Sequence, residues 1–595
     1  MVEWSRSRVS HAPGRLGVLA SLLWLGLGSA GCGDDASSAS GSGTEGTDTA
    51  ESATTGTNPT DADASSSTSV DDSESADESS SSGGEPPPPE VVPPPGGVRR
   101  LLAPQYVRSV GLIFGDAAAE AATPPEDPNI GNYDAMGTLV SAPAPADVEL
   151  YEGSSYAIAE AVVDDPSHLA LTAPCVVDGP FDDSCYTQVA EEVGRLAWRR
   201  PLNEAELDRL TEIADMARTW DEGEFITGVE YMVAAIVQSP NFLYIVEVGA
   251  PGDGNYRELD GYEMATRLSF FLAGRTPDAD ALSRAEAGDL DTDEGVRSLA
   301  HAILQTAEAR VSVEGFFGEY LTIRNVTTKS KDPELFPGFS DELKDSMLEE
   351  TMLLINDVVF IDNASTLSLF DSNTSYVNGT LAEFYGVDAP PSGIWQRVEM
   401  PAEQQRAGVL TQGAWLSMMS HTNVNSPTRR GLFVMEKLLC TEVPLPPPRV
   451  NPEPVVPEEG LTLRETLLQH MEDPACSSCH ALTDPIGFAF ENYDATGAFR
   501  TLDNGKPIDA TGELAGFGSF DGARELGDLL ANDPRLPGCM VENVFTQALG
   551  HVPNDGQEPA LEEVTLTFSD EDHRFRRMLV ELISSPVFRQ VDQAK

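Results

Sequence analysis

The sequence predicts a mainly α-helical, multi-domain body behind a disordered N-terminal tether, on three observations. Apolar residues recur at helical spacing through most of the chain after Val98. Strand signals are few and short, and no fixed-period repeat is visible. Residues Gly33 to about Gly97 are Ser-, Thr-, Gly- and Ala-rich, studded with Asp and Glu, and hold no Lys or Arg. Such a segment buries too little apolar area to offset its ordering entropy. Its Pro-rich end, Glu85 to Gly97, is expected to be stiffer and extended.

The elements follow in order. Arg6, Arg8 and Arg15 form a basic start, and Leu16 to Leu27 an apolar run too short to span a membrane comfortably. Ser29-Ala-Gly-Cys32 then resembles a bacterial lipoprotein signal, with a serine where leucine is more usual. Residues 1–31 are read as the signal, Cys32 as the lipidated residue and 32–97 as the acidic linker. Arg99–Phe114, Val148–Val163 and Cys185–Trp198 are periodic and read as helices. Asn203 with Glu206 is a capping box opening another. Phe225–Gln238 is apolar along most of its length and stops at Ser239-Pro240. Tyr262–Leu272, Gly295–Gln305 and the amphipathic Asp341–Phe360 continue the series. Ser426-Pro427 starts a helix running to Leu439. Pro444–Pro457 is a connector, Thr462 with Glu465 caps a short helix to His470, and Val541–Leu549 is a late helix.

The chain has 595 residues, 40% hydrophobic, enough for several domains. Lys+Arg number 37 against 97 Asp+Glu, a net charge of −60, which argues against nucleic-acid binding and against attraction to anionic lipid headgroups. Lipidation is the more plausible membrane link. An acidic surface also suits a basic redox partner, although solubility alone accounts for it.

Cys476-Ser-Ser-Cys479-His480 carries the strongest chemical signal. Two thiols one helical turn apart can each add to a haem vinyl group, and the following histidine can ligate the iron. Haem c, one group covalently held by Cys476 and Cys479 with His480 as proximal ligand, is the leading reading. The same residues with His470 would also suit zinc, and Cys476 with Cys479 would suit a disulfide. Met540, His551 and His470 are the candidates for a sixth iron ligand, and a five-coordinate iron is the alternative. Asp484, Glu491 and Asp494 either orient this site or serve as turn and surface carboxylates. With Cys32 and the motif set aside, Cys175, Cys185, Cys440 and Cys539 remain of seven cysteines. An oxidising compartment predicts two disulfides: Cys175–Cys185 as the local pair and Cys440–Cys539 by elimination, from three conceivable pairings.

Weaker signals do not survive. Asp289-x-Asp291-x-Asp293 lacks the glycine and glutamate of a calcium loop in register and reads as a helix start. Gly516-x-Gly518 lacks a dinucleotide pattern. Arg429 and Arg430 read as a solvated face before an anion site. No hydrolase or dehydrogenase motif stands out, so whether the chain is an enzyme is left open and no catalytic residue is assigned.

The chain resembles large exported proteins of planctomycetes and myxobacteria built from serial domains of unknown function (1587, 1595, 1592, 1588 and 1585). Arg99-Arg-Leu-Leu-Ala-Pro-Gln-Tyr106 resembles the opening unit; Leu196-Ala-Trp-Arg-Arg-Pro-Leu202 and Gln238-Ser-Pro-Asn-Phe-Leu-Tyr244 resemble the second. Tyr262 to Leu272 with Thr276-Pro-Asp278 resembles the third. Ser375-Tyr-Val-Asn378, Leu381 to Gly386, Arg406 to Leu410, Ser426-Pro-Thr-Arg-Arg-Gly431 and Cys476 to Asp494 resemble the fourth. Ile508 to Gly512 and Gln547 to Gly550 resemble the last, with His551 where an arginine is usual. The resemblance implies a cytochrome-c-like element in helical surroundings and no established activity.

The expected division is 98–170, 171–250, 251–390, 391–500 with the Cys-x-x-Cys-His motif, and 501–595, with a haem region of about 461–553 crossing the last two. The expected function is electron transfer in the cell envelope with an envelope redox partner. The expected place is the outer membrane, periplasm or surface of a Gram-negative cell. An envelope enzyme acting on extracellular polymers and a non-haem scaffold are the alternatives.

Overall fold

The computed structural model describes residues 91–251, 256–444, 455–472 and 474–592, all within the compact unit Pro86–Lys595. The signal, Cys32 and the linker to residue 90 lie outside the described residues. The fold is mainly helical, as the periodicity predicts, with short two- and three-stranded sheets between the helices in sequence. No described helix is long and apolar enough to cross a membrane.

Two hydrophobic cores organise the helices. The first gathers residues from Leu101 to Ile245 together with Phe270. Its centre is Phe225–Gln238, whose Val229, Met232, Val233, Ile236 and Val237 are fully buried. That explains why this segment reads as apolar nearly all round: Pro145–Asp164 and Glu204–Arg218 both pack on it. Asn203 caps the latter helix, its side chain accepting from the Glu206 amide while Glu206 reaches back to the Asn203 amide. Two strings of the resemblance meet here. Arg199, buried and in the left-handed region (φ 63°), donates to the carbonyls of Phe242 (3.2 Å) and Tyr244 (2.6 Å). Cys175 and Cys185 form the local disulfide.

The second core runs from Leu259 to Val591. Arg267, 2% exposed, ties it to the first: its guanidinium holds both oxygens of Glu247 (2.7 and 2.6 Å) and the Phe588 carbonyl (2.6 Å). Asp341–Asn356 ends in a π-helical turn, Asp357–Ile361. Pro427–Phe433, capped by Ser426, likewise runs into one, Val434–Leu438. Cys440–Cys539 is the second disulfide, closing a sequence separation of 99 residues around the motif. Thr292 caps Asp293–Ile303 after a turn at Asp289–Asp291, so the acidic run is a helix start. Gly516 lies in the bend of a hairpin between Thr511–Leu514 and Gly518–Asp521, and Gly518 opens the second strand opposite Leu514.

Several boundaries differ from expectation. The first helix begins at Ala103, because Gly97–Arg100 is a strand paired antiparallel with Tyr244–Glu247. The end of the linker is docked: Pro93 and Pro94 are buried, the Val92 amide donates to Gly556 (2.7 Å) and the Asp592 amide to Pro94 (2.8 Å). The late helix starts earlier, at Arg535, and runs to Leu549. The stretch 461–553 closes no separate core: Met540, Val544 and Phe545 enter the large one, while Leu463, Leu467 and Phe488 cluster with Val424.

Candidate functional site

The motif lies on the helix Pro474–Gly487, opened by a proline in its first turn and running through Pro485 near its end. At about 100° per residue, Cys476, Cys479, His480, Thr483 and Asp484 share one side of this helix. That side packs on Pro427–Phe433, and two glycines let the backbones touch. A Cβ on Gly431 would stand 1.8 Å from the Thr483 carbonyl oxygen, and one on Gly487 would stand 1.9 Å from that of Pro427.

This contact fixes the histidine. Asp484, one turn on, has a fully buried side chain, and its Oδ2 lies 2.9 Å from His480 Nδ1. Thr428, reaching across from the facing helix, donates to Asp484 Oδ1 (2.8 Å) and lies 3.3 Å from His480 Nδ1. Thr483 donates to the same carboxylate oxygen (3.2 Å). The carboxylate, accepting from Nδ1–H, holds the imidazole above its usual pKa against the opposing effect of burial. With Nδ1 committed, Nε2 is the atom left to ligate, the arrangement by which proteins orient a metal-bound histidine. His480 Nε2 has no hydrogen-bond partner among the described residues.

Cys476 and Cys479 are half-buried and neither is in a disulfide. The Cys479 thiol donates to the Pro444 carbonyl (3.1 Å), where the proline connector begins. Among the described residues no group of three or more His, Cys, Asp or Glu side chains converges to hold a metal ion. The donors therefore do not form a zinc cage by themselves. Two thiols outside any disulfide and an oriented imidazole on one helix side fit the donor set of a covalent haem.

Of the sixth-ligand candidates, His470 stands beside His480, ring centroids 5.2 Å apart and edge to face. Met540 is fully buried in the large core. His551 packs edge-on against Phe545 (5.2 Å) and turns Nδ1 to the Val552 carbonyl (3.0 Å), with Nε2 buried and unpartnered.

None of the three carboxylates after the motif is a plain surface group. Asp484 orients His480. Glu491, 2% exposed, accepts from Asn425 (2.7 Å), and burial pushes it up to about 7. Asp494 caps a turn, accepting from the amides of Thr496 (2.8 Å) and Ala498 (3.0 Å). Arg430 is not solvated as expected. It is fully buried and donates to the carbonyls of Phe490 (2.7 Å) and Asp494 (3.1 Å), stapling the segment after the motif to the Pro427–Phe433 helix. Thr428 escaped the sequence reading, because its role rests on a contact across 52 residues. On the opposite side of the motif helix, Pro485 and Phe488 border a groove of about 590 Å³ with Arg464, Leu468, Met471 and Phe520.

Four family matches fall in series between residues 185 and 588. Residues 185–247 match the protein of unknown function DUF1595, 259–387 match DUF1592, 406–503 match DUF1588 and 518–588 match DUF1585. The motif helix and its partner helix both fall inside the third match. No curated protein and no solved structure matches the chain. The order of these four units, on the helical body just described, makes the chain a member of the family built from serial domains of unknown function.

Proposed function

We propose that this chain is an exported, lipid-anchored, c-type cytochrome-like protein that carries one haem and passes electrons to an envelope partner. The observation that carries the reading is the buried Asp484 carboxylate on His480 Nδ1, next to two thiols outside any disulfide on the same helix side. Cys476 and Cys479 would supply the thioether sulfurs and His480 Nε2 the axial nitrogen. Thr428 and Asp484 hold the imidazole in one tautomer, so that the ligand atom is set before any metal arrives. A haem bound there supplies a one-electron iron couple. Cys32, on this reading, is the anchor, and the acidic linker gives the body reach.

The test is a pyridine haemochrome spectrum of protein made in a host with cytochrome c maturation, wild type beside Cys476→Ser/Cys479→Ser. A c-type band present in the wild type and lost in the double variant is the expected result. A folded, exported wild-type chain without that band overturns the reading.

A further inference from the structure

Four basic groups gather beside the partner helix of the motif with no acid bridging any of them. The segment carrying Lys329 and Lys331 lies along the loop that follows the helix Gly413–Met418, the Asp332 amide donating to the Thr422 carbonyl (3.0 Å). Lys331 is 7% exposed, and its ammonium donates to the carbonyls of Ser417 (2.9 Å) and His421 (2.7 Å), leaving a third proton. Burial, then the charges of Lys329, Arg430 and Arg429, press it down to about 7, opposed only by Asp494. The Asp494 carboxylate turns Oδ1 to the Thr496 and Ala498 amides and makes no ion pair with Lys331. Asp332, next in sequence, turns its carboxylate to the Glu334 amide (2.9 Å). His421 belongs to the same loop: its amide donates to the Val424 carbonyl (2.9 Å) and Ser420 forms a β-bridge with Asn425, so the loop that holds Lys331 leads directly into the Ser426-capped helix that carries Arg429. Burial, then Arg429, Lys331 and Lys329, lower His421 to about 4.

The cluster stands out against the rest of the surface. With 97 acids to 37 bases, arginines that reach the surface of this chain commonly find a carboxylate, as half-buried Arg284 does with Asp280, half-buried Arg297 with Glu581 and exposed Arg397 with Asp357. Exposed Arg429 and half-buried Lys329 have no such partner among the described residues. Lys344, the next base along, is bridged to Asp341 (2.7 Å) and does not belong to the set. Burial, and then mutual repulsion within the set, weaken the hold of Lys331 and His421 on their protons, and a counter-anion relieves both effects.

We infer that Lys329, Lys331, His421 and Arg429 form an oxyanion-binding site, taking a carboxylate or phosphate group, with Arg429 and Lys329 as the direct donors. Arg429 follows Thr428, the residue bonded to His480 and Asp484. The oxyanion therefore has two sources: a free phosphate, or the carboxylates of a haem carried on the motif. The site itself does not depend on haem being present.

Calorimetric titration of inorganic phosphate into the haem-free Cys476→Ser/Cys479→Ser chain, at fixed ionic strength, tests it. The expected result is saturable binding that Arg429→Gln and Lys329→Gln each weaken about tenfold, with far-ultraviolet circular dichroism unchanged. Absence of phosphate binding, or equal binding by the variants, overturns the site. A second arm separates the sources. Loss of phosphate binding in the haem-loaded chain assigns the site to the haem carboxylates, and its retention assigns it to a free oxyanion.

Discussion

Asp484 converts an ordinary Cys-x-x-Cys-His string into an oriented site. Its carboxylate is fully buried, accepts from Thr428 and Thr483, and sits 2.9 Å from His480 Nδ1. Replacing it by Asn removes the negative charge that favours the imidazolium while keeping an acceptor of similar shape. Asp484→Asn is therefore expected to lower the His480 pKa, measured by NMR titration of the His480 ring protons in the haem-free chain. An unchanged titration would mean that the hydrogen bond does not govern the ring. The sequence shows Asp484 one turn after His480, and so predicts their proximity once the segment is known to be helical. It does not show burial, which comes from Pro427–Phe433 folding over the pair. The basic cluster is legible only in part: Arg429 reads as a surface base near a helix start, while the approach of Lys331 to the loop at His421 is made only in three dimensions.

At the scale of elements, the close pairing of Pro427–Phe433 with Pro474–Gly487 depends on two glycines. A methyl on either would meet a carbonyl oxygen at less than any allowed separation, and that oxygen is backbone. Gly431→Ala is expected to push the motif helix off its partner and cost about 3 kcal/mol in urea unfolding. The His480 ring should move toward its free titration behaviour in the same variant. A variant as stable as wild type would show that the helices have room to part. Local signals fixed many of these elements in advance. The Asn203–Glu206 box, Pro427 after Ser426, and Thr462 with Glu465 all act within one turn of chain, and all appear where expected. The errors fall where a distant partner decides. Arg99 reads as helix by its apolar spacing, yet it pairs with Ile245, and the ladder overrides the local pattern.

At the scale of the whole molecule, buried carboxyls govern the response to pH. Glu350 is 1% exposed and accepts from Tyr385 (2.7 Å) and Ser375 (2.5 Å), and burial pushes it up to about 7 from 4.5. Between those values the native state keeps a proton that the unfolded chain releases. Wild-type stability therefore falls as pH rises through that window, and Glu350 contributes no further slope above it. Glu350→Gln has no proton to lose. Its stability relative to wild type is expected to rise by about 3 kcal/mol between about pH 5 and about pH 8, in urea unfolding at both. A pH-independent difference would place the carboxyl in a more polar setting than its burial indicates.

The Cys440–Cys539 crosslink has a mechanical consequence. A pull applied between residue 91 and residue 592 first loads the rim, where the Val92 amide meets Gly556 and the Asp592 amide meets Pro94. As tension travels inward along the backbone it reaches Cys440, and there the sulfur bridge carries it straight to Cys539. The intervening chain, with its thiols and its histidine, is shunted out of the load path. While the bridge holds, the segment between the two cysteines cannot be drawn out end to end, and force reaches the motif helix only through its contacts with Pro427–Phe433.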